Sequence, residues 1–320
     1  VAASSGLRTE HVCPFGKTVI NTSVDGGRSW SPPRVIQDSP IDDRDAGVVA
    51  LGGRRLLVSW FRSDTRVYAK DGRWAEVLAG WTDAMVNDLL RSWVMLSGDG
   101  GATWGAPIRV PVSAPHGPIL LCGGDLLYLG KDFRTARHDA GILAARSGDG
   151  GRTWNLLGAV PLHPLTDPAN YHEPHAVELP SGRLIGMIRI QDHSGKDLAA
   201  AGIPHFSMMQ TESEDGGRTW TTARPLGFHG SPPHLLRHSS GVLILTYGYR
   251  LAPYGQRVAL SRDEGKSWEH DWILRDDGPD GDLGYPATVE LDGGGLLTVY
   301  YQKAAAGEKC SLLRSRWSLP

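Results

Sequence analysis

One eight-residue pattern recurs five times along the 320 residues, and it restricts the possible folds more than any other feature. Ser23-Val-Asp25-Gly-Gly-Arg-Ser29-Trp30, Ser97-Gly-Asp99-Gly-Gly-Ala-Thr103-Trp104 and Ser147-Gly-Asp149-Gly-Gly-Arg-Thr153-Trp154 share it. Ser213-Glu-Asp215-Gly-Gly-Arg-Thr219-Trp220 and the looser Ser261-Arg-Asp263-Glu-Gly-Lys-Ser267-Trp268 follow. The chemistry is local. The carboxylate accepts backbone N–H groups across a tight turn, the glycines supply positive φ, and the tryptophan ring fills the gap beneath. Asp25, Asp99, Asp149, Asp215 and Asp263 therefore read as structural residues of hairpin turns.

Successive copies lie 74, 50, 66 and 48 residues apart, the spacing of one four-stranded blade per copy with variable insertions. Between the turns, residues 47–61, 118–129, 174–189, 233–247 and 286–300 each read strand, glycine-containing turn, strand. These are the expected inner two strands of each blade, with the repeated turn joining the outer two. The fold expected is all-β, a six-bladed β-propeller of four-stranded antiparallel blades, spanning 1–320 as a single domain. Its first blade should be short of inner strands in residues 1–15, and a lone strand at 310–317 ends the chain. The opening Val1 reads as a processed or truncated start.

Bulk composition excludes several function classes. A net charge of −2 leaves no basic surplus for phosphates or anionic membranes, so nucleic acid is not an expected partner. No apolar run is long enough to span a bilayer, and no signal peptide opens the chain. Cys13, Cys122 and Cys310 are far apart and form no CxxC pair, which signals neither a zinc site nor a disulfide framework.

The repeated Asp-box turns with these inner hairpins resemble the sialidase superfamily over the whole chain. In Tyr171-His-Glu173-Pro-His175, continuing to Arg189, the segment is similar to one in which a catalytic Glu opens an inner strand and a carboxylate-binding Arg closes the next. Gly284-Tyr285-Pro-Ala-Thr-Val-Glu is similar to the strand that carries the tyrosine nucleophile. The resemblance implies an exo-acting glycoside hydrolase on terminal sialic acid or a related acidic sugar, with Tyr285 as nucleophile and Glu173 as its base. A neutral nucleophile suits a substrate that carries its own carboxylate. Arginines would bind that carboxylate in a fork. Arg189 is one, and either Arg257 or Arg250 is another.

The chain departs from the family pattern in three places. The first-blade arginine motif is missing, with Arg8 as the nearest substitute. No acid/base Asp precedes the first Asp box, where Glu10 and His11 stand. The Glu usual after the nucleophile strand is replaced near Tyr300-Tyr301-Gln302. Charged and imidazole groups also crowd the expected loop ends, namely Arg44 and Asp45 together with His116, His138, His172, His175, His229 and His234. They are candidates for substrate binding or acid/base work near neutral pH. No HxH or HExxH spacing points to a metal, and no cofactor is expected. The partner expected is an acidic sugar or glycoconjugate, met in a secreted or periplasmic setting. Two other readings stay open: a propeller polysaccharide lyase acting on uronic acids through Tyr and His, and a non-catalytic carbohydrate-binding propeller.

Overall fold

A computed structural model describes residues 1–69, 71–133, 141–192, 195 and 197–320. The chain divides into two compact units, Val1–Leu157 and Gly158–Pro320. Among the described residues every sheet is an antiparallel meander, and there are six of them: the blades of an all-β six-bladed propeller.

The first unit begins with a three-stranded blade, Ala2–Gly6, Lys17–Asn21 and Arg34–Gln37. Residues 1–15 therefore do contribute one strand, paired in register from Ala2 opposite Asn21 to Gly6 opposite Lys17. Its sequence, Ala-Ala-Ser-Ser-Gly, carries no apolar alternation by which to find it. The second blade comprises Asp42–Ala50, Leu56–Ser63, Ser92–Ser97 and Ile108–Val110. The third comprises Ile119–Leu120, Leu126–Gly130, Leu143–Ser147 and Asn155–Ala159, the last running into the second unit.

The second unit holds the fourth blade, Tyr171–Glu178, Leu184–Ile190, Ser207–Ser213 and Arg224–His229. The fifth is Pro233–Arg237, Leu243–Tyr249, Tyr254–Ser261 and Glu269–Gly278. The sixth has three strands, Gly284–Glu290, Leu296–Lys303 and Cys310–Trp317.

Burial explains why the second strand of a blade is mostly apolar on both faces rather than alternating. Leu184–Ile190 is buried at every position because both its faces are covered, while the outermost Glu269–Gly278 is largely exposed. Ile185 and Met187 of the fourth blade pack in one cluster with Leu235, Leu245 and Tyr247 of the fifth. At Gly248 a Cβ would lie 2.8 Å from Gly284 Cα and 2.9 Å from the Ser231 carbonyl, so only glycine lets the start of the sixth blade approach the fifth.

Each Asp-box turn is closed by its own side chains. Asp149 Oδ1 accepts from the backbone N–H of Arg152 and Thr153, both at 2.9 Å, and Oδ2 accepts from Thr153 Oγ1 at 2.6 Å. Ser147 Oγ accepts from Gly151 N at 2.8 Å and donates to Asp149 Oδ1. Those donors, the threonine hydroxyl foremost, hold the Asp149 carboxyl far below the ordinary carboxylate range.

The long step between the first two copies of the turn is occupied by an insertion with two short helices, Ala75–Leu78 and Asp83–Leu89. Thr82 caps the second by accepting from Met85 N at 3.2 Å, and Val86 and Trp81 pack on Ile41. Among the described residues no helix is long and apolar enough to cross a membrane.

Candidate active site

The innermost strands of the second, fourth and sixth blades share one irregularity. Their registers slip between Arg44 and Gly47, between His172 and His175, and between Gly284 and Ala287. Inside each slip a non-glycine residue takes a left-handed backbone: Asp45 at φ 51°, Glu173 at 46° and Tyr285 at 54°. A bulge breaks strand alternation and re-aims a side chain, and a positive φ costs a bulky residue about 1 kcal/mol or more. Strain of the same kind at equivalent places of three blades marks these as positions where side-chain direction matters more than backbone comfort.

In the second unit two of these residues meet. The Tyr285 hydroxyl donates to Glu173 Oε1 at 2.5 Å. Glu173 Oε2 accepts from Arg189 Nη1, which also lies 3.3 Å from the Tyr285 oxygen. Arg189 comes from Leu184–Ile190, where it stands opposite His172, and its Nη2 donates to Gln191 Oε1 at 2.8 Å. Burial pushes the Glu173 carboxyl up. The Arg189 guanidinium and the Tyr285 hydroxyl outweigh burial and hold it well below its ordinary value. Glu173 is thus a carboxylate ready to accept the phenol proton, with a cation touching its Oε2 and the phenol oxygen.

Arg250 completes the group. Its guanidinium carbon is 5.3 Å from the ring centre of Phe206, and that of Arg189 is 5.0 Å from the same ring. Arg250 Nη2 lies 3.6 Å from where a Cβ on Gly284 would be, next to Tyr285. Arg250 Nε and Nη2, the two donors along one edge of the fork, are buried and have no hydrogen-bond partner among the described residues. Tyr301 flanks the nucleophile candidate, its ring 5.7 Å from that of Tyr285, and its hydroxyl donates to Asp282 Oδ1 at 3.2 Å.

Arg257, the alternative to Arg250, is otherwise engaged. It donates to the carbonyls of Arg275 at 2.7 Å and Pro253 at 3.1 Å and lies over the Tyr249 ring. His175 and His234 stack at 4.5 Å and tie neighbouring blades together. His175 Nδ1 accepts from Leu235 N at 3.0 Å and His234 Nδ1 from Thr288 N at 3.3 Å. His229 Nδ1 meets the His205 carbonyl at 3.1 Å, and burial pushes its pKa down. His172 is adjacent to Glu173 and helps to hold that carboxyl low. His138 lies outside the described residues.

The first unit carries its own buried charge cluster. Asp42 is fully buried and accepts from Arg8 Nη2 at 2.9 Å, with Arg44 Nε at 3.8 Å. Burial pushes its carboxyl up to about 6 against the pull of those two arginines. Asp43 Oδ1 accepts from Trp60 Nε1 at 2.9 Å and Arg62 Nε at 3.2 Å. His116 is buried in this unit, and Glu10 pairs with Arg73. No group of three or more His, Cys, Asp or Glu among the described residues could hold a metal ion.

Phe206 and Gln191 emerge only in three dimensions, and Tyr301, noted in the sequence where a family Glu is replaced, takes its place beside Tyr285. Phe206 has no motif around it, and its contribution depends on which rings and guanidiniums the fold places beside it.

A sialidase of Bacteroides fragilis is 25% identical over 231 residues, 63% of this chain, so the chain matches only 36% of that protein's length. A solved protein of unknown function from Dyadobacter fermentans superposes with a TM-score of 0.76 at 24% identity, covering 98% of this chain and 86% of that one. Trypanosoma rangeli sialidase, solved in complex with sialic acid, gives a TM-score of 0.61 at 17% identity over 95% of this chain and 49% of that one. At such identities the superpositions speak for the fold alone. Residues 17–299 match the BNR repeat-like domain, and the chain therefore belongs to that family, as a propeller of the sialidase superfamily.

Proposed function

We propose that this chain is an exo-acting, sialidase-like glycoside hydrolase that removes a terminal sialic acid or a related acidic sugar, with 1–320 acting as one propeller domain. The observation that carries the reading is the 2.5 Å hydrogen bond from the Tyr285 hydroxyl to Glu173. In the first step the phenol proton passes to Glu173 Oε1 while the phenol oxygen bonds to the anomeric carbon and the glycosidic C–O bond breaks. Arg189 Nη1, within reach of the phenol oxygen, favours the phenolate as it forms. The departing oxygen leaves as an anion and takes a proton from solvent. Water then cleaves the glycosyl–tyrosine bond: its hydroxyl stays on the anomeric carbon, its other proton goes to solvent, and the proton held by Glu173 returns to the phenol oxygen.

Charge supports the substrate class. Two guanidiniums against one carboxylate leave one positive charge in the group, and Arg250 offers an Nε and Nη2 edge, unengaged among the described residues, that is matched to the two oxygens of a carboxylate. The sialic acid bound by the Trypanosoma rangeli enzyme carries such a group. The histidines that would suit a lyase are less available, since His175 and His234 accept backbone N–H groups at Nδ1.

Hydrolysis of an aryl α-sialoside by the full chain tests the reading, because an aryl leaving group departs without needing a proton donor. The expected result is turnover that Tyr285→Phe lowers about a thousandfold. Undiminished turnover in that variant overturns it.

A further inference from the structure

Arg189 and Arg250 share one aromatic ring, and the ring is held at a conformational cost. Phe206 has φ 54°, a left-handed backbone that a bulky residue rarely takes. The surrounding chain fixes it there: Gly230 N donates to the Phe206 carbonyl at 2.7 Å, and the His205 ring packs edge-on at 4.2 Å, itself accepting from Asp192 N at 3.1 Å. Glycine or asparagine would relieve the strain but present no π face.

The two arginines need such a face for different reasons. Arg189 already has the Glu173 carboxylate as counter-charge. Among the described residues the buried Nε and Nη2 of Arg250 have no hydrogen-bond partner, and a buried cationic edge left so is costly. A carboxylate beside Arg250 would neutralise it but would also occupy the edge a ligand must use. An aromatic ring within about 6 Å stabilises the cation through its quadrupole without engaging a single N–H.

We infer that Phe206 is the positioning residue of the carboxylate clamp, holding the Arg250 guanidinium in place with its Nε and Nη2 edge left for an incoming acid. The inference rests on the reading of this site as one for an acidic sugar.

The test uses the full chain with N-acetylneuraminate and its methyl ester as calorimetric probes. Phe206→Leu is expected to weaken binding of the acid about tenfold, an effect in the range measured for desolvated cation–π contacts, and to leave the ester unchanged. Phe206→Tyr and Phe206→Trp are expected to restore the acid's affinity. On an aryl sialoside, KM should rise in Phe206→Leu while kcat holds. Equal losses on acid and ester, or no loss on the acid, overturn the inference.

A double-mutant cycle on thermal unfolding needs no ligand. Combining Phe206→Leu with Arg250→Met should lower Tm by less than the two single falls added together, and strictly additive falls overturn the contact. If the chain binds neither probe, the acidic-sugar reading fails while the cycle still decides whether Phe206 supports Arg250.

Discussion

The Tyr285 hydroxyl and Glu173 Oε1 stand 2.5 Å apart although 112 positions of chain separate the two residues. Two bulges, each with a strained non-glycine residue, aim these side chains at one another. Groups that act as a pair lose function together. Tyr285→Phe and Glu173→Gln should each lower kcat on an aryl sialoside by about a thousandfold, and the double variant should fall little further. Steady-state kinetics on the three variants reads this directly, and multiplicative losses would show that the residues work independently.

Glu173 also sets an expectation for pH. Arg189 and Tyr285 outweigh burial and hold its folded-state pKa below the unfolded value of about 4.5. It is therefore ionised, and able to take the phenol proton, at every pH above that value. Stability contributed by its ion pair is present above the unfolded pKa and is lost as pH falls through the folded one. Between about pH 5 and 8 the rate profile should show no limb from protonation of Glu173. A kcat/KM profile for wild type and a pH series for Glu173→Gln should accordingly run parallel across that window.

Arg250 is expected to govern affinity rather than chemistry. Arg250→Met should raise KM for an acidic substrate roughly a hundredfold, the loss of a charge-assisted fork, with a smaller change in kcat. Arg257→Met should affect Tm more than KM, since its donors hold the carbonyls of Arg275 and Pro253. Kinetics and melting curves of the two variants separate the roles.

Asp42 gives the opposite pH sign from Glu173. Its folded pKa is raised to about 6 from 3.8, so the neutral form is favoured in the folded chain. The associated stability is present below the unfolded pKa and is lost as pH rises through about 6, by an amount on the order of 3 kcal/mol at most. Asp42→Asn removes that titration. The variant should therefore improve relative to wild type as pH rises from about 4 to 7, as thermal unfolding at several pH values would show.

Much of this architecture is legible in the sequence because a turn chemistry that tolerates little variation is written out five times. Ser147, Asp149 and Thr153 interact within seven residues, so their pattern survives any rearrangement of the rest. The inner hairpins are legible for the same reason, each being a local strand, turn and strand. Ala2–Gly6 is not, because small and polar residues make a strand only when a partner strand supplies the register.

The site is legible in proportion to how local its signals are. Glu173 and Arg189 sit on paired strands, and the structure brings Tyr285 to them. Spacing alone could not choose between Arg250 and Arg257, since the choice depends on which guanidinium the backbone carbonyls consume. Phe206 was invisible because its significance lies in two arginines that belong to separate blades. The histidines read as a functional rim, yet His175 and His234 accept hydrogen bonds from the backbone of the adjacent blade, a contact that no single strand encodes.

Attack of Tyr285 on the anomeric carbon leaves a covalent intermediate that can be trapped. A 3-fluorosialosyl fluoride carries a good leaving group beside an electron-withdrawing fluorine, which should let the glycosyl–tyrosine bond form and slow its hydrolysis. Peptide mass spectrometry after a short incubation should find the sugar on the peptide containing Tyr285. A chain that hydrolyses an aryl sialoside yet carries the label on another residue, or carries none, does not use Tyr285 as its nucleophile.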